Sequence, residues 1–283
     1  MLSKKRLIVN IRLNIMNKKI GFIGCGKMAS AIIGGILAAK FVDNKNVIAS
    51  EISEEKAKEK SEELGIKVIT NNNELVKSVD VVFISTTPNY AEGVLNGIKS
   101  EITPDKLLVS ICAGVTTKFI QSILGDSARI VRVMPNTPAL VLEGMSGVTG
   151  GKNATEDDVQ FVVDMLSNIG KAIEVTEDQM DIVTAISGSG PAFYYKVIND
   201  IARAGEKLGM EYEKALTLSI QTAIGSAKML LNSDKSAEDL IASVATKGGC
   251  TRVGVDYMEE ADTADIFYNL IDKTAKKAHA LGK

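Results

Sequence analysis

From Lys19 onward, short apolar runs alternate with longer segments whose apolar residues recur at helical spacing. IGFIG reads as a first strand and KMASAIIGGILAAK as the helix after it. NVIAS is a second strand, SEEKAKEKSEEL a solvated helix and VDVVFIS a buried run of the fourth-strand type, with KLLVSIC and ARIVRV as further strands. Runs of this length between helical patterns predict βαβ units and a parallel sheet covered on both faces. Past about Glu177 the strand-like runs stop, and segments 190–208, 212–231, 236–244 and 251–281 carry helical periodicity. The pattern predicts an α/β domain over 18–176 and an all-helical domain over 177–283.

The helical part carries long apolar stripes, such as Ala215, Leu216, Leu218 and Ile220 followed by Ala223, Ile224 and Ala227. One small domain cannot bury that much apolar surface alone, which predicts at least a dimer formed through it. At the other end, MLSKKRLIVNIRLNI has a charged start, but its apolar run is cut by Arg12 and no small-residue cleavage site follows. It is too short for a signal-peptide core or a membrane span, so residues 1–17 are read as an extension, expected to be disordered, and excluded from the fold.

Composition then removes whole classes of function. A chain of 283 residues with 45% hydrophobic and 24% charged residues and a net charge of −2 is an ordinary globular protein. No basic block offers a face for tracking phosphates, so neither a nucleic-acid nor a membrane partner is expected. Cys25, Cys112 and Cys250 lie far apart without metal-ligand spacing, and are read as small buried side chains, reduced, in a cytoplasmic protein with no bound metal.

GFIGCGKMA carries the first chemistry. Gly24-x-Gly26-x-x-Ala29 follows a strand and opens a helix, the context that a dinucleotide fingerprint requires. Gly24 permits the tight turn, Gly26 lets the backbone approach a pyrophosphate, and Ala29 allows close helix packing. With Glu51 ending the second strand, a Rossmann-type dinucleotide-binding domain is expected.

Only one histidine is present, His279, in a lysine-rich final helix read as exposed. Ionising an alcohol with a histidine base is therefore disfavoured. Reducing an imine asks for less: orientation, a hydrogen bond to nitrogen and an anchor for the rest of the substrate. The stretch VATKGGCTRVG, 244–254, interrupts the helices with features suited to that. Gly248 and Gly249 allow close backbone approach, the helix starting near Thr251 presents N–H groups to a carboxylate, and the Thr251 hydroxyl can hydrogen-bond a reacting nitrogen. A plain interhelical turn with Thr251 as N-cap is the competing reading, and the residues alone leave the two level.

The chain resembles the pyrroline-5-carboxylate reductases from about Lys18 to its end. The resemblance is carried by IGFIGCGKM, RVMPNTPAL (132–140), SGSGPAFYY (187–195), QTAIGSAKMLL (221–231) and VATKGGCT. It implies a Rossmann-type domain followed by an all-helical dimerisation domain, with dimers often assembled into a decamer. It further implies reduction of Δ1-pyrroline-5-carboxylate, an imino acid, to L-proline by NADPH or NADH. Carried over residue by residue, it implies pyrophosphate contacts along Ile23, Gly24, Cys25, Gly26, Lys27 and Met28. Glu51 stands at the adenosine ribose, Asn72 contacts the cofactor, and Ser85, Thr86, Thr87 and Pro88 form the loop after the fourth strand. Cys112 and Ala113 match the loop beside the nicotinamide. Thr246, Gly248, Gly249 and Cys250 hold the substrate, with Thr251 as the catalytic hydrogen-bonder of the imine nitrogen.

Several positions depart from the family pattern. Lys247 replaces a proline and points to solvent or assists substrate attraction, Cys250 replaces a threonine, and Thr87 replaces a lysine. Asp234 is a cap or lies near the substrate end. Glu51 with Glu54 and Glu55 close behind opposes a 2′-phosphate by like charge, which leans the expectation to NADH. Two rivals remain. Lys196 and Asn199 echo the lysine and asparagine of β-hydroxyacid dehydrogenases, although the lysine falls on the opposite helix face from the one that glycine spacing requires. The other is a cofactor-binding homologue without catalysis.

Overall fold

The computed structural model describes residues 18–282. The extension read over 1–17 lies outside the described residues. The strands are β1 (Ile20–Ile23), β2 (Val47–Ser50), β3 (Lys67–Ile69), β4 (Val81–Ile84), β5 (Leu107–Ser110), β6 (Arg129–Met134), β7 (Gly144–Gly150) and β8 (Gly170–Glu174). Between them run α1 (Lys27–Ala38), α2 (Glu54–Leu64), α3 (Asn72–Ser78), α4 (Pro88–Ile98), α5 (Thr117–Leu124) and α6 (Glu156–Leu166).

These strands form one sheet in the order β3-β2-β1-β4-β5-β6-β7-β8. All pairings are parallel except β6 with β7. β1 and β4 are buried at every position, as expected for central strands covered on both faces. Phe22 and Phe83 stack across them with ring centroids 4.6 Å apart. On one face α1 contributes Ala29, Ile32, Ile33 and Ile36; on the other, Leu75, Leu95 and Ile120 cover Val82 and Leu108. Burying each such aliphatic side chain contributes about 1.5–3 kcal/mol.

The expected parallel sheet is present, with one antiparallel pairing added to it. β6 returns to β7 through a short turn, Thr137–Val141 with Leu142 at φ 61°, too short for the helical crossover that a parallel neighbour needs. β3, β7 and β8 are additional to the strands read from the sequence. β3 is three residues long, and β7 (GMSGVTG) has too many glycines for an apolar-run signal.

The helices that follow are α7 (Met180–Val183), α8 (Gly190–Lys207), α9 (Tyr212–Asn232), α10 (Ala237–Val244), α11 (Cys250–Glu260) and α12 (Thr263–Leu281). The expected single segment 251–281 is two helices, parted at Asp262 with φ 47°. Two compact units are present: one through Gly188 and again from Thr274, the other Ser189–Lys273. Residues 177–188 thus group with the α/β part. The reason is packing: Met180 is fully buried, and Val183 packs where a side chain on Gly147 of β7 would otherwise sit. The end of α12 joins the first unit, where His279 Nδ1 lies 2.9 Å from Asp181 Oδ2. His279 is exposed, as read from the sequence.

In the second unit α8 and α9 pack as an antiparallel pair. Ser219 Oγ donates to the carbonyl of Ile198 at 3.0 Å, and Ala202 and Ala215 are buried. Much of the remaining apolar surface is bare in the single chain, with Leu218, Ile224, Met229, Leu230 and Leu231 all exposed.

Candidate active site

Strand order reverses between β1 and β4, and the crevice at the carboxyl ends of these strands is where open α/β sheets bind ligands. β1 runs from Ile23 into Gly24, whose φ is +89°. A Cβ there would also lie 3.0 Å from the carbonyl oxygen of Ser85, so conformation and space both demand glycine. Gly26 is the N-cap of α1, and a Cβ on it would meet nothing within 4 Å. No side chain caps this helix and no acidic residue occupies its first turn. The N–H groups around Lys27 and Met28 are thus free of the competitors that usually satisfy a helix start, an arrangement that fits a diphosphate.

The neighbouring expected cofactor residues are tied to this turn. Glu51 Oε1 accepts from the Cys25 N–H at 2.8 Å, and its Oε2 accepts from Ile52 N–H at 3.3 Å. Ser50 Oγ donates to Asn72 Oδ1 at 2.7 Å, linking the end of β2 to the start of α3. Ser85 Oγ donates to the Gly24 carbonyl at 2.7 Å, so this hydroxyl is spent on joining β4 to the turn. Thr86 Oγ1 is buried without a partner. Thr87 is the N-cap of α4 without a side-chain cap bond, and Pro88 opens the helix. Cys112 Sγ donates to the Thr86 carbonyl at 3.2 Å, while Ala113 is exposed beside it. Burial pushes the Cys25 thiol up to about 11 and raises that of Cys112, so both stay protonated and inert.

The second unit holds the expected substrate loop. Thr246 accepts, through its carbonyl, from Gly249 N–H at 3.0 Å. Gly248 has φ +79°, a conformation that favours glycine, and Gly249 is extended and caps α11. The competing reading of Thr251 as N-cap is corrected: Gly249 holds that position, and Thr251 lies in the first turn with an exposed side chain. α11 begins with neither a side-chain cap nor an acidic residue. Thr251 also lines a cavity of about 590 Å³ with Thr222, Ser226, Met229, Leu240 and Val255.

Cys250 is exposed, a correction to its reading as a buried side chain; it occupies the first position of α11, clear of the core. Lys247 is exposed. Asp234 caps nothing: Ser236 caps α10, reciprocated by Asp239, and Ser233 ends α9. The residues of the dehydrogenase-like reading are occupied elsewhere. Lys196 Nζ pairs with Asp200 Oδ1 at 2.6 Å, and Asn199 Oδ1 accepts from Tyr212 OH at 2.9 Å.

RVMPNTP and SGSGPA turn out to be joined structurally. Asn136 Nδ2 donates to the Ser187 carbonyl at 3.1 Å, its Oδ1 accepts from Met145 N–H at 2.8 Å, and Met134 fills the space that a Cβ on Gly188 would need. Buried Arg132 pairs with Glu177 Oε1 at 2.6 Å, and Glu177 Oε2 accepts from Thr117 Oγ1 at 3.0 Å. Sequence reading gave these motifs no physical role, because their partners lie about fifty residues away. Among the described residues no cluster of histidine, cysteine or acidic side chains fits a metal ion, and no helix is long and apolar enough to cross a membrane.

Comparison with known proteins places these features in a group. The family pattern "Pyrroline-5-carboxylate reductase dimerisation" matches residues 177–281, and "NADP oxidoreductase coenzyme F420-dependent" matches residues 19–114. The pyrroline-5-carboxylate reductase of Methanosarcina acetivorans is 40% identical over 267 residues, 94% of this chain and 99% of that protein. A crystal structure of the Plasmodium falciparum pyrroline carboxylate reductase with NADP bound matches with a TM-score of 0.84 at 33% identity, covering 95% of this chain and 100% of that one. The Coxiella burnetii pyrroline-5-carboxylate reductase matches with a TM-score of 0.89 at 30% identity, covering 94% and 99%.

Proposed function

The chain belongs to the pyrroline-5-carboxylate reductase family, and from that premise we propose how its own residues serve the reduction of Δ1-pyrroline-5-carboxylate to L-proline. The observation that carries the proposal is the start of α11: left-handed Gly248, extended Gly249 and an uncapped helix bearing exposed Thr251 in its first turn. A carboxylate at this point receives unpaired N–H groups and the positive end of the helix. Thr251 Oγ1 then hydrogen-bonds the ring nitrogen, holding the proton of the iminium and fixing the face of the C=N bond. No histidine is needed, since the nitrogen gains an electron pair and already carries its proton.

A nicotinamide dinucleotide, when bound, supplies the hydride. The Gly24–Gly26 turn and the bare start of α1 hold its diphosphate, with Ile23, Cys25, Lys27 and Met28 along the turn. Glu51 and Asn72 serve its adenosine ribose, and Ser85–Pro88 with Cys112 and Ala113 line the path beyond. Ser85 is spent on the fold, which leaves Asn72 Nδ2, the hydroxyls of Thr86 and Thr87, and the exposed Lys27 as polar groups along this path. Glu51 leans the preference to NADH, by like charge against a 2′-phosphate.

The helical unit supports self-association at least as a dimer, with dimers assembled into a decamer as the finer reading. A cytoplasmic reaction is the reading that the three scattered cysteines support. Steady-state oxidation of NADH and of NADPH, with and without Δ1-pyrroline-5-carboxylate, tests the whole reading. Substrate-dependent oxidation yielding proline is expected; binding of the cofactor without turnover would favour the non-catalytic homologue instead.

A further inference from the structure

Ahead of α11 the chain closes a four-residue turn, 246–249. Gly249 N–H donates to the Thr246 carbonyl at 3.0 Å, and Gly248 in the third position has φ +79°, the pattern of a type II turn. Lys247 therefore holds the second position, the corner that proline suits because its ring presets φ. The turn is fixed on both sides without this side chain. Ala245 before it is buried, and a Cβ on Gly249 would already lie 3.1 Å from Thr246. Lysine at the corner forgoes the stiffness of proline and places an ammonium group on an exposed side chain.

The other cation of this stretch is already engaged. Arg252, in the first turn of α11, pairs with Asp256 at 2.6 Å and with Glu259 at 2.9 Å. Lys247 has no such partner among the described residues, and no acidic residue stands in the first turn of α11 to compete for it. We propose that Lys247 is the charged arm of the substrate loop: its ammonium folds back over Gly248 and Gly249 and pairs with the carboxylate held at the start of α11. The inference rests on the reading of that loop as the carboxylate site. The backbone N–H groups give the carboxylate direction, and the ammonium, on its flexible four-carbon stem, supplies a full opposite charge. The chain as a whole carries a net charge of −2, so no general field does this in its place. A pair at such an exposed rim acts on capture of the substrate and leaves the reacting C=N bond alone. It also weakens with salt, which screens exposed charges over about 10 Å at 0.1 M.

The test is steady-state kinetics of the full chain with Δ1-pyrroline-5-carboxylate at low and high ionic strength, in the parent, Lys247→Gln, Lys247→Arg and Lys247→Pro. In Lys247→Gln the KM for the imino acid should rise about three- to fivefold at low salt, the scale of one exposed ion pair. Its kcat and its KM for NADH should stay within about twofold of the parent. At about 0.5 M salt the difference between the two enzymes should close. Lys247→Arg keeps the charge and should match the parent. Lys247→Pro suits the turn but lacks the charge, and should behave as Lys247→Gln does. An unchanged KM in Lys247→Gln at low salt, a difference that persists at high salt, or recovery by proline rather than arginine overturns the proposal while leaving the glycine loop as the carboxylate site. A parent chain that does not reduce the imino acid overturns the reading of the loop, and the role of Lys247 falls with it.

Discussion

The carboxylate of Glu51 accepts a hydrogen bond from the Cys25 N–H at 2.8 Å, so the residue at the end of β2 braces the glycine turn. This separates two effects that a simple deletion would merge. Glu51→Gln keeps an acceptor for Cys25 and removes the charge. The ratio of kcat/KM for NADPH over NADH should then rise several-fold, the scale of a like-charge repulsion of about 1 kcal/mol at a partly solvated site. Glu51→Ser also loses the brace and should weaken both cofactors. An unchanged ratio in Glu51→Gln would show that Glu51 does not read the ribose.

Thr86 offers a cleaner substitution. Its Oγ1 is buried without a partner, and valine has the same shape without the hydroxyl. Removing an unsatisfied buried polar atom recovers about 1–3 kcal/mol. Thr86→Val should therefore leave the Tm of the cofactor-free protein unchanged or raised. A fall of several degrees would mean that the hydroxyl has a partner in the free protein.

How much of this is legible in the sequence differs from element to element. Gly24, Gly26 and Glu51 announce themselves because a tight turn, a helix start and a strand end follow one another within a few dozen residues. The parallel strands β1, β2, β4, β5 and β6 show as continuous apolar runs, since both of their faces are buried. β7 does not, because Gly144 and Gly147 are there to admit Ala139 and Val183 rather than to pack side chains of their own. Asn136 and Ser187 are far apart in the chain, and a hydrogen bond across that distance leaves no periodicity to detect. The start of α11 was equally hidden: whether Gly249 or Thr251 caps the helix depends on backbone angles, not on residue type.

Arg129 and Asp158 anchor α6 to β6. Asp158 is 6% exposed, and Arg129 Nε donates to its Oδ2 at 2.9 Å; its Oδ2 also closes the capping box with Thr155. Burial alone would raise the pKa of this carboxyl. The hydrogen bonds from Arg129 and Thr155 outweigh burial and hold it below the ordinary aspartate range. A depressed folded pKa gives stability that is present above the unfolded value of about 3.9 and lost as pH falls through the folded one. Asp158→Asn should cost about 3 kcal/mol at neutral pH, because Arg129 is left unpaired, and should flatten the loss of stability at acid pH. Denaturant unfolding at neutral and acid pH checks both; a variant as stable as the parent at neutral pH would contradict the account.

Assembly follows from the bare apolar surface of the second unit. Leu218, Ile224, Met229 and Leu231 are exposed along α9 in the single chain. A dimer or a multiple of it is expected by light scattering at micromolar concentration. Leu218→Glu with Met229→Glu should shift the mass towards the monomer, since a charge in an apolar interface is buried unpaired. A parent that is monomeric at that concentration would rule out the helical unit as an association surface.

The most direct test of the catalytic account is the steady-state kinetics of Thr251→Ala beside a titration of its cofactor affinity. If Thr251 Oγ1 holds the imine nitrogen, kcat should fall about 10²-fold or more, the typical loss for one transition-state hydrogen bond, while the Kd for NADH stays within about twofold. Thr251→Ser, which restores the hydroxyl, should recover most of the rate. A Thr251→Ala enzyme turning over within about twofold of the parent would remove Thr251 from the reaction and, with it, the account given for the start of α11.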